Sequence, residues 1–236
     1  YLDTHELTTL ADTPAHAWLD QVGMHLTTTP SGLVITATPP KGTTMTVNLS
    51  KGGKVDLTKQ AGGTLTKVRI GLGWDARRGD GQAYDLDGSV IGCGTDSMSL
   101  GSDWFVFYNN PSSPGQAIVH QGDNLTGTGS GDDEQIVVDL AGLPANVDQL
   151  VIAVTIHEAK QRNQTFGDVE KAFIRVIDES TGVELSKFDI TEDTEPGVNC
   201  LVFGKLYRRG QDWSFRAVAD GFKDELAGLV AAYKIS

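Results

Sequence analysis

"EQIVVDLAGLPANVDQLVIAVTIH", residues 134–157, writes a β-strand in two different ways. In the first part Ile136, Val138 and Leu140 are apolar while Gln135 and Asp139 are polar, the period-two pattern of a half-buried antiparallel strand. In the second part, "LVIAVTI" from Leu150 to Ile156 is apolar almost throughout. That run is strand-sized and far too short to span a bilayer. No long helical pattern separates the two. Outward from this stretch, beginning at Met45, the chain continues with "MTVNL", "TKVRIGLGW", "YDLDGSVIG", "DWFVFYN" and "QAIVHQ" on one side. On the other side come "KAFIRVIDE", "GVELSKFDI", "NCLVFGKLYRR" and "DWSFRAVA". "DESTGVEL" and "YRRGQDW" carry hairpin turns. Many short strands without interleaved long helices predict an all-β fold, an antiparallel β-sandwich. The chain closes on "DGFKDELAGLVAAYKI", where Phe222, Leu226, Leu229, Val230 and Tyr233 make a helical apolar stripe. This predicts a C-terminal helix packed on the sheet.

Residues 1–44 differ in kind. "TPAHAWLDQVGMHL" reads as a short helix, with Thr13 as its cap, Pro14 at the first helical position and Trp18, Leu19, Val22 and Leu26 near one face. "TTTPSGLVITATPPKGTT" is rich in Thr, Pro and Gly, and reads as a linker holding one short strand. The expected organisation is therefore a helical N-terminal extension and linker over 1–44 and a sandwich domain over 45–236.

A chain of 236 residues with 39% hydrophobic and 21% charged residues suits a globular domain with a substantial core. The formal net charge of −12 argues against nucleic acid and against anionic membranes, and is compatible with a bound cation. Cys93 and Cys200 are too few for a disulfide scaffold, and Cys200 in "NCLVFGKL" reads as a core thiol; a cytoplasmic setting is the simpler expectation. The chain opens at Tyr1 without a methionine or a signal-like segment, which reads as an excised fragment or a processed product.

The acids gather at expected strand ends. Asp75 ends "GLGWD", Asp85 and Asp87 begin "DLDGS", Asp123 and Asn124 follow "IVHQ", and Asp132, Asp133 and Glu134 precede "QIVVDL". Three adjacent carboxylates in a glycine-rich loop repel one another, so the loop is either a solvated tip or the seat of something positive. Calcium takes six to eight oxygen ligands in flexible geometry and suits such a loop. Magnesium, with its stricter octahedron, comes second, and His and Cys do not cluster as a softer metal would require. The twelve residues from Asp123 to Glu134 are not an EF-hand, because Leu125 and Gly127 stand at the third and fifth positions and strands flank the loop. On composition alone the solvated tip and the metal loop stand level. If strands simply alternate direction, Asp75, Asp85 and Asn109 share one end of the sandwich, and Asp103, Asp123 and Asp132 to Glu134 share the other.

Several other motifs fall away. "IHEA" lacks the second histidine of a zinc protease, Gln161 standing in its place, and His157 and Asn163 read as residues that order a loop. "GLGWDA" lacks the third glycine of a dinucleotide fingerprint. Thr128 stands where a nucleophile elbow around Ser130 would need glycine. Trp74, Trp104, Trp213 and Phe222 read as core anchors.

"VNLSKGGKVDLTK", "GLGWD", "YDLDGS", "DWFVFYNN", "GDNLTGTGSGDDE", "VTIHEAKQRNQTFGDV", "AFIRV" and "FRAVADGF" resemble, in order and spacing, the TerD family of tellurium-resistance and stress proteins over about residues 46–235. The resemblance implies a β-sandwich that binds calcium through acid-rich loops. The implied ligands are Asp75, Asp85, Asp87, Asp123, Asn124, Asp132, Asp133 and Glu134, with Asp103 and Asn109 as weaker candidates. The expected function is a non-catalytic calcium-binding module of a stress-response system, its ordered loops forming a surface for protein partners. Two other classes stand behind it. One is a sensor of a cyclic nucleotide or another phosphorylated metabolite, which would need a basic, glycine-lined pocket. The other is a metal-dependent hydrolase, for which His120 and His157 are the only tempting bases.

Overall fold

The computed structural model describes residues 24–29, 32–37, 45–76, 84–122, 131–190 and 195–236. The chain divides into two compact units, Tyr1–Thr43 and Thr44–Ser236. The first contains an antiparallel pair, β1 (Met24–Thr29) and β2 (Gly32–Ala37), with Thr29 opposite Gly32. This corrects the sequence reading in two respects. Met24 to Leu26 belong to a strand rather than to the end of a helix, and the linker holds parts of two strands rather than one. The run of β-branched residues in Thr27–Thr29 and Val34–Thr36 explains it, since such side chains fit a pleated backbone better than a helix. The rest of the expected helix, residues 13–23, lies outside the described residues.

The second unit runs β3 (Val47–Leu49), β4 (Lys54–Asp56), α1 (Leu57–Gln60), β5 (Lys67–Ala76), β6 (Leu86–Cys93), β7 (Phe105–Val106), β8 (Ile118–His120), β9 (Glu134–Asp139) and β10 (Gln149–Ile156). It continues with α2 (Ala159–Arg162), β11 (Val169–Asp178), β12 (Glu184–Ile190), β13 (Cys200–Arg209), β14 (Asp212–Phe222) and α3 (Glu225–Tyr233). One six-stranded sheet has the order β3-β12-β11-β5-β9-β8 and the second has β4-β14-β13-β10-β6-β7. Neighbours are antiparallel except for β3 beside β12.

The two patterns in residues 134–157 have different causes. In β9, Glu134, Ile136 and Val138 are buried while Gln135, Val137 and Asp139 are half-buried, so one face meets the core and the other meets solvent. In β10 all eight residues are buried, because the second sheet is covered twice. Leu150, Ile152, Val154 and Ile156 join Val68, Ile70 and Leu72 of the first sheet in the main core. Val151 and Ala153 face the other way, against Cys200, Val202, Leu229 and Tyr233, where α3 lies on the sheet. Full burial of Leu229 contributes about 2 kcal/mol to holding that helix down. At its start, the Glu225 N–H donates to Asn199 Oδ1 at 2.8 Å. Phe222 is not part of the helix; it ends β14 opposite Cys200 and packs beside the helical stripe.

Trp74 and Trp213 are buried in the main core, as core anchors should be. Both cysteines are free and buried. Burial pushes the Cys93 thiol up to about 12 and the Cys200 thiol up to about 11. Among the described residues, no helix is long and apolar enough to cross a membrane.

Candidate functional site

The end of β5, the start of β6 and the start of β9 lie at one end of the sandwich. Leu72 on β5 pairs with Glu134 on β9, and Asp75 stands three residues further along β5. Across the core, the Gly88 N–H on β6 donates to Glu134 Oε2 at 2.6 Å, a charge-assisted bond that ties the two sheets together. Simple alternation had put Asp75 and Asp85 at the opposite end from Asp132 to Glu134, and the structure corrects that. The reason is local. Only Phe105 and Val106 of "DWFVFYN" enter a ladder, and residues 107–117 return without a strand. As a result β7 and β8 run in the same direction, in different sheets. Asn109 is exposed, next to Tyr108, whose ring lies 6.4 Å from that of His157. Asp103 is exposed in a turn beside Trp104, which packs on Gly92 near the far end of β6, so it is remote from the other acids. Asp123 and Asn124 lie outside the described residues, as does the side chain of Asp75.

The three adjacent acids avoid one another by pointing in three directions. Asp132 lies on the outer face of the first sheet, over Gly71, where an added Cβ would stand 2.3 Å from its carboxylate. Arg175 and Gln135 flank Gly71 in the neighbouring strands. Arg175 Nε donates to Asp132 Oδ1 at 2.6 Å and Gln135 Nε2 donates to Oδ2 at 3.1 Å. The carboxylate in turn raises the pKa of the Arg175 guanidinium above its ordinary value. The second acid, Asp133, continues β9 alongside β5: its N–H donates to the Leu72 carbonyl at 2.7 Å, and its Oδ2 accepts the Trp74 N–H at 2.9 Å. Glu134 points inward. Its side chain is 1% exposed and faces Gly88, with His120 Nε2 3.5 Å away. The Gly122 N–H donates to His120 Nδ1 at 3.3 Å.

On the second sheet Asp85 is buried and its carbonyl accepts the His157 N–H at 2.8 Å. His157 Nδ1 lies 3.4 Å from Asp87 Oδ2. His157 thus orders the loop beside Asp87, and Asn163 closes α2 in the left-handed conformation, so both serve structure as their motif suggested. Among the described residues, no group of three His, Cys, Asp or Glu side chains is arranged to hold a metal ion by itself.

The parts played by Arg175, Gln135 and Gly88 were not legible in the sequence. A glycine inside the strand "DLDGS" was the available signal for Gly88, because strand glycines mark close approach of another group. Nothing local could have paired Arg175 with an acid 43 residues away.

Residues 45–233 match the TerD domain family. Tellurium resistance protein TerD of Serratia marcescens is 43% identical over 192 residues, which is 81% of this chain and 99% of that protein. General stress protein 16U of Bacillus subtilis (strain 168) is 42% identical over 190 residues, 80% of this chain and 97% of that protein. The crystal structure of a homologue of telluride resistance protein (TerD) from Streptomyces coelicolor A3(2), 22% identical, shares the fold with a TM-score of 0.54 over 71% of this chain and 96% of the other. With the domain match running from β3 to the end of α3, the chain belongs to the TerD family.

Proposed function

We propose that this chain is a non-catalytic calcium-binding module of a TerD-type stress or tellurite-resistance system in the cytoplasm, whose acid-rich end, once ordered by the ion, forms a surface for a protein partner. The observation that carries the reading is the convergence of β5, β6 and β9, which draws the segments bearing Asp75, Asp85, Asp87, Asp133 and Glu134 to one end of the sandwich. The donor set is all oxygen, the chemistry calcium prefers. Glu134 and Asp133 are already held by backbone N–H groups, so part of the ordering cost is met before any ion arrives. The described carboxylates do not complete a coordination shell, so the loop holding Asp123 and Asn124, which starts and ends at this same end of the sandwich, supplies the remaining oxygens. Asp132 is committed to Arg175 and Gln135, and in this reading it anchors the loop rather than touching the ion. A hydrolase would need an open base beside the metal. His120 is buried against Glu134 and His157 is paired with Asp87, which favours the non-catalytic reading.

Asp133→Asn tests it. Asparagine keeps the shape, and its Oδ1 can still accept the Trp74 N–H, but one negative charge is lost. Calcium at a hundred times the dissociation constant should stabilise the wild type by about 2.7 kcal/mol over the chelated protein. The variant should lose much of that gain and melt close to wild type in chelator. Identical wild-type melts with calcium and with chelator would sink the proposal.

A further inference from the structure

The outer face of the second sheet carries a row of three cations next to the part that α3 covers. Arg216 on β14 is opposite Lys54 on β4 in one ladder and opposite Lys205 on β13 in the next. At about 4.8 Å between strands, the row spans about 10 Å. Like charges set directly across a ladder repel and destabilise it, so sheets normally avoid the arrangement. Here it occurs on a chain of net charge −12. Among the described residues none of the three cations makes a salt bridge, and Lys205 rests its ammonium 5.5 Å from the Tyr233 ring centre. All three line a single cleft of about 550 Å³, a size typical of small-ligand sites. Tyr207, Gln149 and Asp148 are also in its wall, and among the described residues Asp148 is the one carboxylate there.

Gln149, 9% exposed, lies at the base of the cleft. The mutual repulsion of the three cations would be relieved by one anion with several oxygens. We propose that this cleft binds a phosphorylated small molecule, with Lys54, Lys205 and Arg216 on the phosphate oxygens. An acidic protein segment is the competing occupant. Three cations gathered within about 10 Å in a cleft of small-ligand size favour a compact polyoxygen group over carboxylates carried on a backbone lying across the surface. The site stands on the opposite sheet face from the Asp132 anchor and does not depend on calcium.

The test is calorimetry on the full chain, stripped of metal on a chelating resin, at matched ionic strength. The probes are tripolyphosphate, sulfate and poly-glutamate. Tripolyphosphate should bind at least about tenfold more tightly than sulfate. The triple variant Lys54→Gln/Lys205→Gln/Arg216→Gln should weaken it by at least about tenfold while leaving the calcium-dependent melting shift unchanged. Arg216→Gln, a single exposed change that leaves the core intact, should weaken it by about threefold, and so should Lys54→Gln. Wild-type affinity in either single variant, or sulfate binding as tightly as tripolyphosphate, overturns the proposal. Poly-glutamate binding as tightly as tripolyphosphate also overturns it, and assigns the cleft to an acidic protein segment.

Discussion

Replacing Arg175 by glutamine tests why three adjacent acids are tolerated. The Asp132 side chain is fully buried and its Oδ1 sits 2.6 Å from Arg175 Nε. It cannot sink toward the sheet, because the backbone of Gly71 lies directly beneath it. Without the guanidinium its remaining neutral donor is the Gln135 amide. Removing one partner of a buried ion pair costs about 3–5 kcal/mol, since the other charge is left uncompensated. Arg175 is itself 29% exposed, so water reaches the vacated space and the cost falls at the low end, about 3 kcal/mol. For a domain of this size that is a melting shift of about 6–12 °C. Urea unfolding in chelator measures the effect without any contribution from calcium. Arg175→Lys keeps the charge but loses the second bond to Glu184, and should fall between the two. Adding Asp132→Asn to the glutamine variant should recover stability, because no buried charge then remains. An Arg175→Gln protein within about 0.5 kcal/mol of wild type, the scatter of an ordinary surface change, would mean that Arg175 does not compensate the buried Asp132 charge.

Gly88→Ala puts a Cβ 2.5 Å from Leu72 Cδ1 and 2.6 Å from Glu134 Oε2, so it should cost about 1–3 kcal/mol and weaken calcium binding. Gly94→Ala, whose nearest neighbour would be 3.4 Å away, should be close to neutral in the same unfolding assay. The thiols should resist alkylation in the folded protein at pH 8 and react on unfolding, because desolvation holds Cys93 at about 12 and Cys200 at about 11. Their folded values lie above the ordinary value of 9.0, so the stability they contribute is complete below pH 9 and is lost as pH rises toward 11–12. The expected slope in that window is roughly 1 kcal/mol per pH unit for each thiol, read from urea midpoints, and Cys93→Ala should make it shallower.

What the sequence could show depended on whether the cause was local. The alternation of Ile136 and Val138 with Gln135 and Asp139 states which face of β9 is buried, and the unbroken "LVIAVTI" marks a strand covered on both sides. The hairpin turns between Asp178 and Glu184 and between Arg209 and Asp212 were likewise legible, being set by residues inside them. β4 went unread, because three residues at a sheet edge, Lys54 to Asp56, have too little length for a period. The helix expected at the N-terminal side of Leu26 met β-branched threonines that favour a strand. The acids at the strand ends were visible one by one. Their meeting at one end was not, because it turns on the direction of the chain through Phe107–Ala117, where no periodic pattern runs. The role of Asp132 was hidden for a related reason: Arg175, Gly71 and Gln135 come from three strands and are brought into one row only by register.

Calcium binding at the acid end is decided by titrating the resin-stripped chain with calcium and then with magnesium in a calorimeter. The expected result is saturable calcium binding at integral stoichiometry, weaker magnesium binding, and calcium affinity reduced by Asp133→Asn. No binding heat with calcium, together with unchanged melting on its addition, would contradict it and leave the loop before Glu134 as a solvated tip.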